Sequence, residues 1–237
     1  MNGWPSCRLC NRNIKCNLKA YQFANFISVA SQHVKESFLL HQYPENRIFV
    51  NPYGVDLSMF KPLPNIPKKY DVIMVGGWGY EKGCDLIVEA IRKTNYSFIH
   101  VGSIKDVDFP QEKNFTHIDP VDQSKLIEYY NQAKVFILPS RQDGFGMVLS
   151  QALACNLPII GSNNCGAPDL KKMVELPEYI TIIKDYTADA IVTAIHTAIK
   201  NYEQLGERIY AGNAIENLTW EAYGKRYANF LHKIIKQ

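Results

Sequence analysis

The segment LPSRQDGFGMVLSQALACNLP, residues 138–158, runs from the end of an apolar stretch (135–138) through a punctuated turn into a second apolar stretch, residues 147–155. The first stretch is short enough for a buried strand and the second reads as a helix. Asp143, Gly144, Phe145 and Gly146 make the loop between them. Glycines at 144 and 146 let the backbone come close to a ligand, and a helix that starts there presents unpaired N–H groups with a partial positive charge. A phosphate suits such a place. Gln151 lies about 12 Å further along the axis than Asp143 at about 1.5 Å per residue. One loop can therefore hold a sugar or phosphate at its mouth while a side chain deeper in the helix meets another part of the same ligand. A tight strand-to-helix turn in any α/β protein has the same outline, and spacing alone does not separate the two.

The same order of elements occurs earlier. YDVIMVG, residues 70–76, is a strand that runs into GGWGYEKG, where Gly76, Gly77, Gly79 and Gly83 surround Lys82. Residues 85–93 continue as an amphipathic helix with Leu86, Ile87, Ala90 and Ile91 turned inward. A lysine there can meet a diphosphate as a point charge beside backbone amides, although a solvated lysine fits the pattern equally. A strand over 97–102 ends at Gly102, where open α/β sheets place ligand-binding loops. Strands at 115–118, 158–161 and 179–183 alternate with helices at 122–132, 169–174, 187–202 and 203–217. The alternation predicts an α/β fold, a Rossmann-like parallel sheet with helices on both faces. The last helix starts behind Thr219, and its stripe of Trp220, Tyr223, Tyr227, Phe230, Leu231 and Ile234 at 3-4 spacing reads as a packing face.

Before the glycine units, residues 26–30 and 47–51 read as strands. Between them Ser31 serves as N-cap to a helix over 32–40. At 237 residues the chain is long enough for one large domain, or a domain and a piece of another. A composition of 46% hydrophobic and 21% charged residues is globular, and a net charge of +3 leaves no polybasic surface for nucleic acid. No apolar run approaches the length of a bilayer span, and the first residues lack the apolar core of a secretory signal. Six cysteines, three of them scattered singly, read as reduced thiols of a cytoplasmic protein.

Metal chemistry has two candidate places. Cys7, Cys10 and Cys16 form half of a zinc site, but a fourth ligand is not evident and His33 or His41 would have to fold back; a loop with free thiols is preferred. Asp106-Val107-Asp108 could hold a divalent ion on a diphosphate, but its polar loop reads as a solvated turn. His100 and His117 read as satisfied core or rim histidines. The expectation is therefore no metal and no other cofactor.

SRQDGFGMVLSQALACNLPIIGSNNCGAPDL, with the sequences around it, resembles the donor-site signature of family 4 (group 1) retaining glycosyltransferases. That resemblance implies the GT-B architecture, two Rossmann-like domains facing across a cleft. It implies that Asp143 faces the hydroxyls of the donor sugar and that Gln151, at a position the family gives to glutamate, faces the nucleotide ribose. GGWGYEKG resembles the family's G-R-x-x-x-x-K-G element, in which both cations hold the donor diphosphate. Lys82 matches the lysine, Gly77 stands at the arginine position, and Arg141 and Lys105 are the candidates to replace the missing charge. By the same resemblance Gly76, Gly77, Lys82, Gly102, Val121, Asp143, Gly144, Phe145, Gly146, Met147, Val148 and Gln151 contact the donor, with Val121 in the loop that meets the base and Gly166 close to the donor. Asp143 and Lys82 carry the chemistry.

NPYGVD with Phe60 and Pro62 resembles the family's interdomain linker. The implied layout is the end of an incomplete amino-terminal acceptor domain (1–51), the linker (52–69), the donor domain (70–218), and a carboxy-terminal helix (219–237) that crosses back to the amino-terminal part. Most of the acceptor half would then be absent, whether the chain is a fragment, a split gene product or the result of a late start codon. The implied activity is metal-independent transfer of a sugar from a nucleoside-diphosphate sugar to the hydroxyl of a carbohydrate or lipid-linked acceptor, with retention. Polysaccharide or glycolipid synthesis, in the cytoplasm or at the inner face of the membrane, goes with it. A missing amino-terminal domain or a second subunit is the implied protein partner. A GT-B nucleotide-sugar epimerase and a non-catalytic nucleotide-sugar binding module are the other two readings.

Overall fold

The apolar patches near residues 26–30 and 47–51 each form a short strand, β1 (Ile27–Val29) and β2 (Ile48–Val50), in the computed structural model of the chain. The structure describes residues 16, 17, 19–205 and 212–236. β1 and β2 pair in parallel around α1 (Gln32–Leu40), whose first turn is capped by the Ser31 hydroxyl accepting the Val34 N–H. This small unit docks on the rest through its loop and helix start. Ser31 Oγ donates to Gly144 O at 2.7 Å, and the Gln32 N–H reaches both carboxylate oxygens of Asp169 at 3.2 Å.

The main body is one parallel sheet. Its strands are β3 (Tyr70–Val75), β4 (Phe98–Val101), β5 (Phe115–Ile118), β6 (Ala133–Leu138), β7 (Ile159–Ser162) and β8 (Ile180–Ile183). They lie in the order β5-β4-β3-β6-β7-β8, and every neighbouring pair is parallel. Helices α2 (Cys84–Lys93), α3 (Gln123–Asn131), α4 (Met147–Ala154), α5 (Ala167–Met173) and α6 (Ala188–Leu205) follow β3, β5, β6, β7 and β8 and flank the sheet. Strands covered on both faces must be apolar throughout, and 72–75 and 135–138 are wholly buried. The inward face foreseen for α2 (Leu86, Ile87, Ala90, Ile91) is buried, as are Ile191, Ala194, Ile195 and Ile199 of α6.

The strand order reverses between β3 and β6. From β3 the chain builds outward through β4 to β5, then returns to β6 on the other side and continues to β8. Such a switch point opens a crevice at the carboxyl ends of the two central strands. The register pairs Tyr70 with Ala133 and Ile73 with Phe136, so β3 and β6 end at nearly the same level and their following loops meet.

Of residues 203–217, expected as a further helix, 206–211 lie outside the described residues. α6 runs on to Leu205, and Gly212–Leu218 is a 3₁₀ segment that starts at a glycine with φ 54°. α7 (Trp220–Ile235) is capped by Thr219, whose hydroxyl accepts the Ala222 N–H. It lies against β1 and β2: Phe230 stacks on Phe49 with ring centroids 4.2 Å apart, and Arg226 bonds Asn51 Oδ1 and Pro52 O at 2.7 and 2.8 Å. Trp220 and Leu231 of its aromatic stripe stay exposed.

Cys16, Cys84, Cys155 and Cys165 are free thiols, and burial pushes those of Cys84 and Cys155 up to about 12. Cys7 and Cys10 of the zinc reading lie outside the described residues. Among the described residues no group of three or more His, Cys, Asp or Glu side chains is placed to hold a metal ion. No helix among them is long and apolar enough to cross a membrane.

Candidate active site at the sheet switch point

β3 leads through Gly76, Gly77, Trp78 and Gly79 into a 3₁₀ turn, Tyr80–Lys82. The next central strand, β6, leads through Pro139 and Asp143 to the start of α4. Because the two strands are neighbours, their loops face each other, and Lys82 Nζ donates to Asp143 Oδ2 at 2.6 Å. Both side chains are largely covered, with 21% and 15% of their surface exposed. Asp143 is held by its own loop. Its N–H reaches Asn164 O at 2.9 Å, and its Oδ1 accepts the Phe145 N–H at 3.2 Å.

Arg141 fastens the two loops together. Its backbone N–H donates to Glu81 O at 2.8 Å, and its guanidinium grips both oxygens of Asp85 at 2.6 and 2.7 Å. The same guanidinium bonds Tyr80 O and lies 3.7 Å from the centre of the Tyr80 ring. A two-pronged, stacked arginine is a strong structural contact. Arg141 is thus committed to Asp85 rather than open to a diphosphate, which removes it from the candidates for the second cation.

Gly102 and Gly146 are among the glycines that the geometry requires. Gly102 sits at φ 151°, and a Cβ there would come within 2.0 Å of Gly76 O, so only glycine lets the ends of β3 and β4 approach this closely. Gly146 takes φ 78° as the N-cap of α4 and supplies no side-chain acceptor, which leaves the first amides of that helix without a capping side chain. Around Gly144 there is open space beyond its α-carbon.

The other predicted contact residues are more scattered. Phe145 is buried and packs edge-on against Tyr53, while a Cβ at Gly166 would strike its ring at 2.3 Å; Gly166 thus makes room for Phe145. Val148 and Val121 are half-buried against the core, with Val121 beyond β5, two strands away from β3. Met147 is exposed and, with Gln151 and Trp220, lines a cavity of about 190 Å³ beside the linker. Gln151 itself is buried, and its Oε1 accepts from the hydroxyl of the fully buried Tyr130 at 3.0 Å. A separate cavity of about 450 Å³ lies between α1 and the Asp143 loop, with His33, Ser37, His41, Gln142, Asp143 and Gly144 in its wall.

Two positioning groups carried no local signal in the sequence. Asp106, read as part of a solvated turn, accepts the Tyr80 N–H at 2.7 Å and so shapes the glycine loop. His100 is wholly buried; its Nε2–H donates to Gly76 O at 2.8 Å, and its Nδ1 lies 3.0 Å from His117 Nδ1. Burial pushes the His100 imidazole down to about 4, and the nearby His117 adds to this against the opposing Gly76 hydrogen bond. The unfolded chain takes up a proton near pH 6.5 that the folded chain refuses until about pH 4, so stability falls as pH drops through that window, by about 3 kcal/mol in all. In urea unfolding between pH 7 and pH 4.5, His100→Gln is expected to flatten this acid-side loss. An identical pH slope in both proteins would contradict it.

An open parallel α/β sheet with two glycine loops meeting at its switch point is a Rossmann-like domain with a crevice at the carboxyl ends of its central strands. Residues 58–214 match the family described as glycosyl transferases group 1, and the chain belongs to that family. It is 26% identical over 242 aligned positions to a probable sucrose-phosphate synthase of Thermosipho melanesiensis, a match covering 90% of this chain and 56% of that protein. It is 23% identical to the GDP-mannose-dependent alpha-(1-6)-phosphatidylinositol monomannoside mannosyltransferase of Mycolicibacterium smegmatis, covering 88% of this chain and 62% of that one. The chain thus spans little more than half the length of these curated relatives. Among solved structures, Anabaena Alr3699/HepE in complex with UDP and glucose superposes with a TM-score of 0.74 at 18% identity, covering 95% of this chain and 67% of that one.

Proposed function

We propose that this chain carries the donor site of a metal-independent, retaining, family 4-like glycosyltransferase, which moves a sugar from a nucleoside diphosphate to an acceptor hydroxyl. The observation that carries the reading is the 2.6 Å contact between Lys82 and Asp143, one from each of the two glycine loops that meet at the switch point. In this reading donor binding exchanges that contact for two others: the ammonium turns to the diphosphate and the carboxylate to a sugar hydroxyl. As the glycosidic C–O bond breaks, negative charge gathers on the leaving diphosphate and positive charge on the sugar. Lys82 and the open amides at the start of α4 offset the first more strongly in the transition state than in the ground state. Asp143 orients the sugar. Relatives whose names include UDP, GDP-mannose and sugar transfer support the class of donor. Synthesis of a surface polysaccharide or glycolipid, at or near the cytoplasmic face of a membrane, is the accompanying role.

The direct test incubates the chain with a panel of nucleoside-diphosphate sugars and follows release of the nucleoside diphosphate, with the anomeric configuration of the product read by NMR. Release from one donor with retention is expected. Tight binding without turnover would instead make this a binding module, and epimerised sugar without release would make it an epimerase. Gln151 gives a further check. Tyr130 already donates to its carbonyl oxygen, so a carboxylate in its place keeps that donor. In this site Gln151→Glu is expected to tighten UDP binding by about threefold to tenfold, as a charged acceptor strengthens a bond to a ribose hydroxyl. Weaker binding with the fold intact would take Gln151 out of the site.

A further inference from the structure

We propose that Lys105, on the loop after β4, is the cation that receives the diphosphate at the mouth of the glycine loop, in the space left by Gly77. This assignment rests on the donor-site reading above. The backbone puts Lys105 there: the Trp78 N–H donates to Ser103 O at 2.7 Å and the Lys105 N–H to Trp78 O at 2.9 Å, a short parallel bridge between the loops that follow β3 and β4. Across that bridge the lysine stem lies over the glycines. A Cβ on Gly77 would stand 2.4 Å from Lys105 Cε and 3.1 Å from its Nζ, and one on Gly79 would stand 3.3 Å from Lys105 Cβ. The side chain of Lys105 therefore fills the room that any side chain at 77 would need.

Charge bookkeeping around the loop leaves Lys105 the role. The Lys82 ammonium is matched by Asp143 and the Arg141 guanidinium by Asp85. Asp106, next to Lys105, has Oδ1 turned to the Tyr80 N–H. Lys105 makes no ion pair and no side-chain hydrogen bond with any described residue, and the Gly77 N–H beside it makes none either. A free ammonium thus lies 3.1 Å from where a Cβ of Gly77 would stand, beside a residue whose amide is also free, at the carboxyl end of β3. A diphosphate brings several negative charges that a neutral Lys82–Asp143 pair cannot offset. Lys105 supplies the uncompensated positive charge, and the Gly77 amide adds a directed donor.

The test is calorimetric titration of the whole chain with UDP, GDP and inorganic pyrophosphate. Lys105→Met keeps the stem and removes the charge. Affinity for pyrophosphate and for whichever nucleotide binds is expected to fall about tenfold, the loss of one charge-assisted contact, and to become less sensitive to salt. The unfolding midpoint should not move, since the ammonium has no partner in the fold. Gly77 has no left-handed backbone to forbid a side chain, so Gly77→Arg in a Lys105→Ala background, where the stem no longer fills that room, returns a cation to the same space and is expected to regain most of the affinity. Unchanged affinity of Lys105→Met, or a loss that Gly77→Arg does not recover, overturns the assignment and leaves the donor site standing. No binding of any of the three probes by the unsubstituted chain overturns the donor-site reading and the assignment together.

Discussion

Asp143→Asn is expected to lower sugar transfer by about a hundredfold, the cost of a misplaced reacting sugar, while UDP stays bound at least as tightly as before. The two parts of that result come from the same contact. The Asp143 carboxylate lies 2.6 Å from the Lys82 ammonium and cancels its charge. Asparagine removes the negative charge, so Lys82 is freer to meet a phosphate and nucleotide binding has no reason to weaken. The loop keeps its shape, because asparagine retains the Oδ1 acceptor for the Phe145 N–H and the backbone bond to Asn164 O does not depend on the side chain. What is lost is the charged acceptor for a sugar hydroxyl, which is felt only when the whole donor is bound. Calorimetry with UDP and a donor-turnover assay on the same preparation check both halves. Equal losses in binding and transfer would make Asp143 a structural residue.

Lys82→Ala should cost more in both measurements. It removes the ammonium and leaves the Asp143 carboxylate, 15% exposed, without its cation and turned toward the incoming diphosphate. Nucleotide affinity is expected to fall at least tenfold, and transfer by about a hundredfold to a thousandfold, the range measured when one preorganised donor is taken from a developing negative charge. The effect on folding should be smaller, since Arg141 with Asp85, and the backbone bond from Arg141 to Glu81, hold the two loops together without Lys82. Unchanged UDP affinity in Lys82→Ala would remove this residue from the site. The contrast with Asp143→Asn matters more than either figure: one variant weakens the nucleotide and the other does not.

Much of this was legible in the sequence, for reasons of local chemistry. Ser31 caps α1 and Thr219 caps α7 because a hydroxyl next to an apolar helical period satisfies the first free amides. The two strand–glycine–helix units announce themselves by apolar runs broken at Gly76 and Asp143. What the sequence does not carry is the order of strands in the sheet. Lys82 and Asp143 meet because β3 and β6 are neighbours, and nothing in the sequence around either residue says so. The same holds for Arg141 and Asp85, separated by 56 positions, whose pairing took away a cation that looked available. Asp106 looked like a solvated turn because its partner, the Tyr80 amide, belongs to the loop after another strand. Lys105 could be named as a candidate and not placed, since its position over Gly77 depends on a bridge between two loops. Of the helix expected over 203–217, the described part after residue 211 is a 3₁₀ segment that starts at a glycine with positive φ.

The most direct measurement is a crystal structure of the chain with UDP, and with GDP if UDP does not bind. The diphosphate is expected within hydrogen-bonding distance of the Lys82 ammonium and of the first amides of α4, with the Lys82–Asp143 contact loosened. A nucleotide whose diphosphate lay away from both glycine loops, with that contact intact, would contradict the account.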